Sequence, residues 1–284
     1  MQSIRPRRSV LYMPGSNARA LEKARTLPAD ALILDLEDAV APDAKDLARD
    51  QVVAAVKAKG FGRREVIVRI NALSTPWGER DLAAAAEAGP DAILVPKVSA
   101  PADLAHIEGK LGRSTSLWAM IETPLAILNI ASIAAHGGKL ACFVMGTNDL
   151  IKEMHGTHTK DRANLYAALA LSVYAARAHG IAALDGVFND IQDTDGFARA
   201  CQQAKSFGFD GKTLIHPTQV EPANAIFAPA PEEIMAAREI IAAFELPENR
   251  GKGAIKHDGR MVELLHAEIA RRTVALADAI AALN

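Results

Sequence analysis

The sequence of 284 residues predicts an α/β protein, a closed (β/α)₈ (TIM) barrel followed by a C-terminal helical extension. Two observations predict the barrel. Eight short apolar runs alternate with alanine-rich helical patterns, and nearly every run ends in polar or charged residues. Continuous apolar strands that alternate with helices indicate a parallel sheet covered by helices. Eight such units fit a closed barrel better than an open sheet.

The predicted strands follow one another along most of the chain. They comprise residues 9–14, 31–38, 65–71, 91–98, 116–122, 142–149, 182–188 and 212–217. The clearest helix patterns between them cover residues 43–59, 79–88, 101–111, 124–135, 161–179 and 194–206. The first of these helices shows the signature best, since Pro42 and Asp43 open it, apolar residues recur every three or four positions and Gly60 ends it.

The last part of the chain differs in composition from the repeating units. The stretch "FELPENRGKGAIKHDGRMVE" (244–263) is rich in glycine, charge and turn residues, and a helix pattern follows it. Because eight units already close the barrel, this part is an appendage. The sequence therefore predicts a barrel domain over residues 1–246 and an extension over residues 247–284, which either caps the site or docks on another subunit.

Composition and charge narrow the classes of function. The formal net charge is −2, and no basic stripe stands out, which argues against nucleic-acid binding. The two cysteines, Cys142 and Cys201, have neither metal-ligand nor redox spacing. The apolar run before Pro14 is too short for a signal peptide, and no stretch approaches the roughly 18 apolar residues of a membrane span. We therefore expect a soluble cytoplasmic protein that does not associate with a membrane.

Polar side chains at the strand ends predict an active site. Barrel enzymes place their active sites at the C-terminal ends of the strands, so side chains from several strands meet at one rim. The candidates for this rim are Glu37, Asp38, Arg69, Asn71, Lys97, Glu122, Asn148, Asp149, Asp185 and His216.

Two carboxylates of this rim suit a metal ion. Glu122 and Asp149 end the fifth and sixth predicted strands, which are neighbours in a barrel. Buried carboxylates are costly unless they are paired or coordinate a metal, and Mg²⁺ prefers oxygen ligands. The alternative is structural: Asp149 with Asn148 caps the following helix, and Glu122 accepts a hydrogen bond from a loop amide.

Two further segments carry basic candidates. Arg69 lies among β-branched residues and needs an anion, which is either a structural carboxylate such as Asp35 or Glu37, or a carboxylate or oxyanion of the substrate. Both roles remain open. In "YMPGSNARALEKA" a strand and a Pro-Gly turn lead into a helix, where Arg19 and Lys23 lie one turn apart and form a cationic pair suited to phosphates.

Eight motifs occur in an order that resembles one family. They are "RSVLYMPGSNARALEKA", "LDLEDAV", "VRIN", "VPKV", "IETP", "MGTNDL", "IHPTQV" and "GRMVE". Their order is similar to that of citrate lyase β-subunit-like proteins of the HpcH/HpaI aldolase superfamily, which includes malyl-CoA and citramalyl-CoA lyases. The resemblance extends from about residue 7 to residue 280 and implies a (β/α)₈ barrel that assembles into homotrimers or hexamers.

The resemblance also implies roles for individual residues. It implies that Glu122 and Asp149 hold Mg²⁺ and that Arg69 contacts the reacting oxygens of an acyl-CoA substrate. It places a further set of residues against CoA and its thioester: Tyr12, Arg19, Lys23, Ile215 and His216. Members with a full tail supply a catalytic aspartate to a neighbouring subunit, and Glu263 of "GRMVE" takes its place here.

The expected activity is a Mg²⁺-dependent carbon–carbon lyase reaction. A 3-hydroxyacyl-CoA thioester of the citramalyl-CoA or malyl-CoA type would give acetyl-CoA and a 2-oxo acid. Arg69 would stabilise the oxyanion, and Glu263 would protonate the enolate carbon. The alternatives are the β subunit of a complex that cleaves a citryl thioester of an acyl-carrier protein, an aldolase of free 2-oxo acids, and a non-catalytic CoA-binding barrel.

Overall fold

The computed structural model describes residues 4–283 and contains a closed barrel of eight parallel strands. Each strand pairs with the next along the chain, and the eighth pairs with the first. The strands are β1 (Ser9–Pro14), β2 (Ala31–Asp35), β3 (Glu65–Arg69), β4 (Ala92–Val95), β5 (Ser116–Ile121), β6 (Leu140–Met145), β7 (Ala182–Asp185) and β8 (Gly211–Leu214). The predicted (β/α)₈ barrel is confirmed.

Most strands end earlier than the sequence predicted, and β2 shows the reason. It ends at Asp35 instead of at residue 38. The Asp35 carboxylate accepts hydrogen bonds from the backbone N–H groups of Glu37 (2.9 Å) and Ala39 (3.0 Å), which lie beyond the strand. These bonds satisfy the backbone as it leaves the sheet, so the polar residues that follow belong to the rim and not to the barrel wall.

Helices cover the outside of the barrel. In chain order the helices of the chain are α1 (Ala18–Ala24), α2 (Lys45–Ala58), α3 (Gly78–Ala88), α4 (Pro101–Glu108), α5 (Pro124–Leu128), α6 (Ile130–Ala134), α7 (Thr147–Glu153), α8 (Tyr166–Ala178), α9 (Thr194–Phe207), α10 (Val220–Phe227), α11 (Pro231–Glu245) and α12 (Leu264–Ala281). The single helix predicted over 124–135 is two helices that meet at Asn129. The helix predicted from residue 161 begins at Tyr166, because Arg162 has a left-handed backbone (φ 55°) that no helix accommodates.

The barrel interior is apolar in the middle and charged at both ends. Its central cluster includes Ile33, Ile67, Trp118 and Val144, all fully buried. Because side chains alternate along a strand, the next inward position on β2 is Asp35, which follows Ile33 by two residues. The same alternation brings charged side chains inward at the C-terminal mouth, where the predicted site lies.

By contact, the chain forms two compact units. Residues 7–225 form the unit that contains the barrel, and residues 226–283 with residues 4–6 form the other. The domain boundary predicted from the sequence is at residue 246, not at residue 225. The difference arises because α11 packs along α12, so α11 falls in the second unit. That the extension caps a site on a neighbouring subunit stays a prediction.

The second unit contains a hairpin that the sequence analysis treated as a linker. Strands β9 (Ala254–His257) and β10 (Arg260–Glu263) pair antiparallel. The residues between them, Asp258 and Gly259, both have positive φ (48° and 77°), as a two-residue hairpin turn requires. The Asp-Gly pair is a recognised hairpin signal, so "KHDGRM" could have indicated this turn.

No helix within residues 4–283 combines the length and the apolar character needed to cross a membrane.

Candidate active site

A cavity of about 280 Å³ opens at the C-terminal ends of the barrel strands. Seven of the residues proposed from the sequence for the rim or the substrate line it: Tyr12, Asp38, Arg69, Glu122, Asn148, Asp149 and Ile215. The structure thus brings together side chains from β1, β3, the end of β5, α7 and the end of β8. We describe this cavity as the candidate active site.

Glu122 follows β5 and lies almost fully buried, with 1 % of its surface exposed. Its Oε1 accepts a hydrogen bond of 2.7 Å from the backbone N–H of Lys97. Burial raises the pKa of Glu122 to about 6, and the positive charge of Lys97 opposes that rise. The hydrogen bond from a loop amide, which the structural alternative predicted, is therefore present. It uses only one of the two carboxylate oxygens of Glu122.

Asp149 lies in the first turn of α7, beside Glu122. The Lys97 ammonium lies 2.7 Å from Asp149 Oδ1 and 3.9 Å from Glu122 Oε1, so one cation contacts both carboxylates. The N-cap of α7 is Gly146, without a side-chain cap bond, so Asp149 does not cap this helix. Two carboxylates that share a cation at the mouth form a pair of oxygen donors of the kind that Mg²⁺ prefers.

Gly146 makes room for the Glu122 carboxylate. A Cβ at position 146 would lie 2.5 Å from Glu122 Oε2 and would come into closer contact with its Cβ. Only a residue without a side chain fits beside the carboxylate, so glycine at this position lets β6 approach β5 at the point where Glu122 enters the cavity.

Lys97 is one of the polar strand ends predicted from the sequence, but no role was predicted for it. Its backbone is left-handed (φ 56°), a conformation that costs a non-glycine residue roughly 1–2 kcal/mol. From this position its N–H donates to Glu122, and its ammonium lies nearest to Asp149. Strained backbone of this kind is concentrated at functional sites, and sequence alone gave no sign of it.

Arg69 makes a two-point ion pair with Asp35. Its Nε and Nη2 each lie 2.6 Å from one carboxylate oxygen. Both groups are buried, and the Arg69 guanidinium keeps the pKa of Asp35 below its ordinary value. Of the two roles left open for Arg69, the structural one is therefore present, with Asp35 as the anion. The substrate-facing role stays a prediction and falls on Nη1.

The Nη1 side of Arg69 faces two more acids. It lies 2.9 Å from Glu37 Oε2 and 3.3 Å from Asp38 Oδ2. Glu37 Oε2 is buried and makes no hydrogen bond of good geometry, although its distance to Arg69 is that of an ion pair. Because Asp35 already takes the best donors of the guanidinium, burial prevails and raises the pKa of Glu37 to about 8. Glu37 therefore keeps its proton at neutral pH.

The residues predicted to contact CoA fall into different places. The Tyr12 ring lies under the Arg69 guanidinium (4.8 Å to the ring centroid), and burial raises the pKa of its hydroxyl, which stays protonated. Arg19 and Lys23 are exposed on α1 and do not line the cavity. His216 is outside the lining as well, and its Nδ1 lies 2.8 Å from Thr218 Oγ1. Their contacts with CoA stay predictions.

Two polar strand ends that the sequence placed at the rim lie elsewhere. Asn71 is buried in a network with Lys45 and Asp81, at 2.7 Å and 2.6 Å. Asp185 is fully buried and pairs with Lys212 (2.6 Å) and Arg162 (2.8 Å). On β7 the inward residue is Leu184, so alternation turns Asp185 away from the cavity. Both residues are structural.

Glu263 belongs to the second unit. It is the last residue of β10 and is exposed, and its backbone N–H donates a hydrogen bond of 3.0 Å to His266 Nδ1. The described residues also place Glu239, His257 and Asp258 of this unit close enough to share an ion. These groups lie at the surface, where acidic side chains often cluster without a metal.

Comparison with known proteins identifies the family. The profile described as HpcH/HpaI aldolase/citrate lyase matches residues 8–217. The chain is 52% identical to the (3S)-malyl-CoA thioesterase of Cereibacter sphaeroides (strain KD131 / KCTC 12085) over 98% of this chain and 97% of the relative. It is 33% identical to the mitochondrial citramalyl-CoA lyase of Rattus norvegicus over 97% of this chain and 87% of the relative.

A solved structure gives the same result. The protein CitE from Mycobacterium tuberculosis, in complex with magnesium, acetoacetate and coenzyme A, superposes with a TM-score of 0.77 at 29% identity, over 96% of this chain and 99% of that one. Magnesium, the cofactor predicted from the sequence, is thus present in a structural relative. From the matching profile and the full-length relatives, this chain belongs to the HpcH/HpaI aldolase/citrate lyase family.

Proposed function

We propose that the chain binds the CoA thioester of a 3-hydroxy acid of the malyl or citramalyl type and cleaves its carbon–carbon bond, giving acetyl-CoA and a 2-oxo acid. The observation that carries this proposal is the pair of carboxylates, Glu122 and Asp149, that shares one cation beside the cavity. Relatives with CoA-thioester names, and a magnesium, acetoacetate and coenzyme A complex of a structural relative, support it.

Glu122 and Asp149 are the residues that would hold Mg²⁺. Their donor atoms fit this ion, because both are carboxylate oxygens and both already contact a positive charge. Gly146 leaves the space that the Glu122 carboxylate needs. Mg²⁺, when bound, would supply positive charge to a substrate oxygen, which favours ionisation of the 3-hydroxyl group.

Arg69 would stabilise negative charge that develops on the reacting oxygens. Its guanidinium is fixed by Asp35 and by the Tyr12 ring, so its Nη1 needs no reorganisation during the reaction. Glu37 is protonated at neutral pH, so it adds no further buried negative charge beside Arg69 to that of Asp35. A fixed donor in a buried cavity is the arrangement that stabilises an oxyanion most effectively.

Glu263 would return a proton to the enolate carbon of the acetyl-CoA product. The 3-hydroxyl group loses its proton to solvent and becomes the carbonyl of the 2-oxo acid as the carbon–carbon bond breaks. The electrons of that bond pass to the thioester side, so this carbon must gain a proton before acetyl-CoA is released. We assign this step to Glu263 of a neighbouring subunit. A carboxylic acid acts as a general acid near neutral pH only where its surroundings exclude water, and the mouth of that barrel would supply such surroundings.

Hydrolysis of the thioester is the second candidate, and the 52% identity to a (3S)-malyl-CoA thioesterase favours it. Here water attacks the thioester carbonyl, the carbon–sulfur bond breaks, and the products are free CoA and the free 3-hydroxy acid. Both reactions require the same substrate to be bound. They differ in the bond that breaks, so their products distinguish them.

The test is product analysis by mass spectrometry. The full chain is incubated with malyl-CoA, citramalyl-CoA and citryl-CoA, with MgCl₂ or with excess chelator. If the products are acetyl-CoA and a 2-oxo acid, they support the lyase reaction. If the products are free CoA and the intact hydroxy acid, the chain hydrolyses the thioester and the lyase reaction is not its activity. The Asp149→Asn variant is the control for contaminating activity. If none of the thioesters is consumed in the presence of MgCl₂, the proposed function is wrong.

A further inference from the structure

We infer that the Lys97 ammonium is the resident counter-ion of the Glu122–Asp149 pair and that a divalent cation must displace it in order to bind. This inference rests on the proposed function, because it presupposes that these two carboxylates hold the metal. It assigns Lys97 a positioning role: Lys97 keeps the metal ligands in place when the metal is absent and sets the affinity with which the metal enters.

The geometry places one ammonium among three acids. Lys97 Nζ lies 2.7 Å from Asp149 Oδ1, 3.7 Å from Glu153 Oε1 and 3.9 Å from Glu122 Oε1. A divalent ion bound by both Glu122 and Asp149 would place its positive charge beside this ammonium, next to the same two carboxylates. The ammonium and a divalent ion therefore compete for the same negative charge.

The backbone of Lys97 stays useful after its side chain has moved. Its N–H donates to Glu122 Oε1 at 2.7 Å, and its left-handed φ of 56° holds the N–H in that direction. This bond does not depend on the ammonium. Displacement of the side chain thus removes the competing charge and leaves Glu122 oriented.

The side chain of Lys97 is partly exposed to solvent. It is 36% exposed, whereas the Glu122 side chain is 1% exposed, so the ammonium can reach water while the carboxylate cannot. A lysine stem is flexible and carries a compact charge, unlike the planar fork of arginine. Glu153 lies one helical turn after Asp149 on α7, is 39% exposed, and offers the displaced ammonium another anion.

Charge determines the direction of the effect. With Lys97 in place, the carboxylates of Glu122 and Asp149 and the ammonium sum to one net negative charge. Without the ammonium they carry two negative charges, which repel each other in a partly buried site and attract a divalent ion more strongly. Removal of the ammonium should therefore tighten metal binding, although it removes a favourable ion pair from the metal-free protein.

The experiment measures metal binding directly. Metal-stripped full-length protein is titrated with MgCl₂ by isothermal titration calorimetry and with MnCl₂ by electron paramagnetic resonance. The test variant is Lys97→Met, which keeps the stem and removes the charge. Lys97→Gly is a second test variant, since glycine accepts the left-handed backbone and keeps the N–H, and it serves if methionine impairs folding. Lys152→Met, an exposed lysine on α7, is the matched control.

We expect the Lys97 variants to bind Mg²⁺ at least about tenfold more tightly than the wild type, and Lys152→Met to bind as the wild type does. Equal or weaker binding by both Lys97 variants overturns the inference, and so does an equal gain in Lys152→Met. In those cases, if the wild type binds the ion and Asp149→Asn does not, the proposed metal site is still supported. If neither the wild type nor the Lys97 variants bind either ion, the metal site and the inference both fail.

Discussion

The Arg69 guanidinium forms a two-point ion pair with the buried carboxylate of Asp35, with both N–O distances at 2.6 Å. The pair joins β3 to β2 at the barrel mouth and leaves Nη1 on the cavity side. The same pattern recurs at the other end of β3, where Arg7 pairs with Glu65 at 2.7 Å and 2.9 Å and stacks over Trp118. The two pairs are matched in structure, but one of them faces the candidate active site.

This match gives a controlled test of Arg69. In Arg69→Lys the charge is kept and the planar fork is lost, so kcat should fall by about 10²-fold, as when an oxyanion donor is removed. Arg7→Lys loses an equivalent two-point pair away from the site and should lower Tm without a comparable fall in kcat. Steady-state kinetics and thermal unfolding of both variants measure this. A rise in KM alone for Arg69→Lys would show that Arg69 binds the ground state only.

The two proposed metal ligands should differ in their effect on stability. Asp149→Ala should abolish Mg²⁺-dependent turnover with little change in Tm, because its side chain is 28% exposed. Glu122→Ala should abolish turnover and also destabilise the fold by about 1–3 kcal/mol, because it leaves the partly buried N–H of Lys97 without its acceptor. Urea denaturation and Mg²⁺-dependent assays test both variants. Full activity in Asp149→Ala would remove Asp149 from the metal site.

Gly146→Ala tests the space around Glu122. The added methyl would lie 2.5 Å from Glu122 Oε2, so the carboxylate must shift. We expect weaker Mg²⁺ binding by calorimetry and a destabilisation of about 1–3 kcal/mol from overpacking. Gly156→Ala is the control, since its nearest neighbour would be 3.6 Å away. Unchanged metal binding in Gly146→Ala would contradict the proposed ligand role of Glu122.

Glu37 should make stability depend on pH. Its folded pKa of about 8 lies above the ordinary value of 4.5, so between these values the folded chain keeps a proton that the unfolded chain releases. The free energy of unfolding should therefore fall as pH rises from about 5 to 8. The side chain introduced by Glu37→Gln does not titrate. The stability of the wild type relative to this variant should therefore decrease as the pH rises. Urea denaturation at pH 5, 6, 7 and 8 measures the difference, with exposed Glu232→Gln as control. Parallel curves would contradict the elevated pKa.

The shared-site assignment of Glu263 is tested by subunit mixing. Glu263→Ala and Asp149→Ala should each be inactive as homo-oligomers. After co-refolding, some mouths with an intact Asp149 should receive an intact Glu263 from a neighbour, so partial activity should return. Glu268→Ala, an exposed acid on α12, is the control for loss of charge in the tail. If mass spectrometry confirms that mixed oligomers form and they show no activity, a shared site is excluded.

The order of apolar and polar residues determined the barrel and much of the site. Each run of apolar residues must be buried on both sides, and the alternation with helices fixes parallel pairing, so eight strands could be recognised without any coordinates. The positions of Glu122 and Asp149 after consecutive strands were enough to predict that they meet. The hydropathy of each run and its place along the chain can be read directly from the sequence, and these predictions depend on those two properties.

The tertiary structure decided which polar group faces which. Asp185 and Asp35 both end a strand, yet one turns outward to Lys212 and the other inward to Arg69, because the exact end of each strand sets the direction of its last side chain. Likewise, Lys97 follows the end of β4 with a left-handed backbone and its ammonium contacts Asp149, and no pattern in the sequence indicated either feature. A shift of one residue reverses a side chain's direction, and sequence patterns locate strand ends only to within a few residues. The charge pairing of this site is therefore set by packing between strands that are distant in the chain.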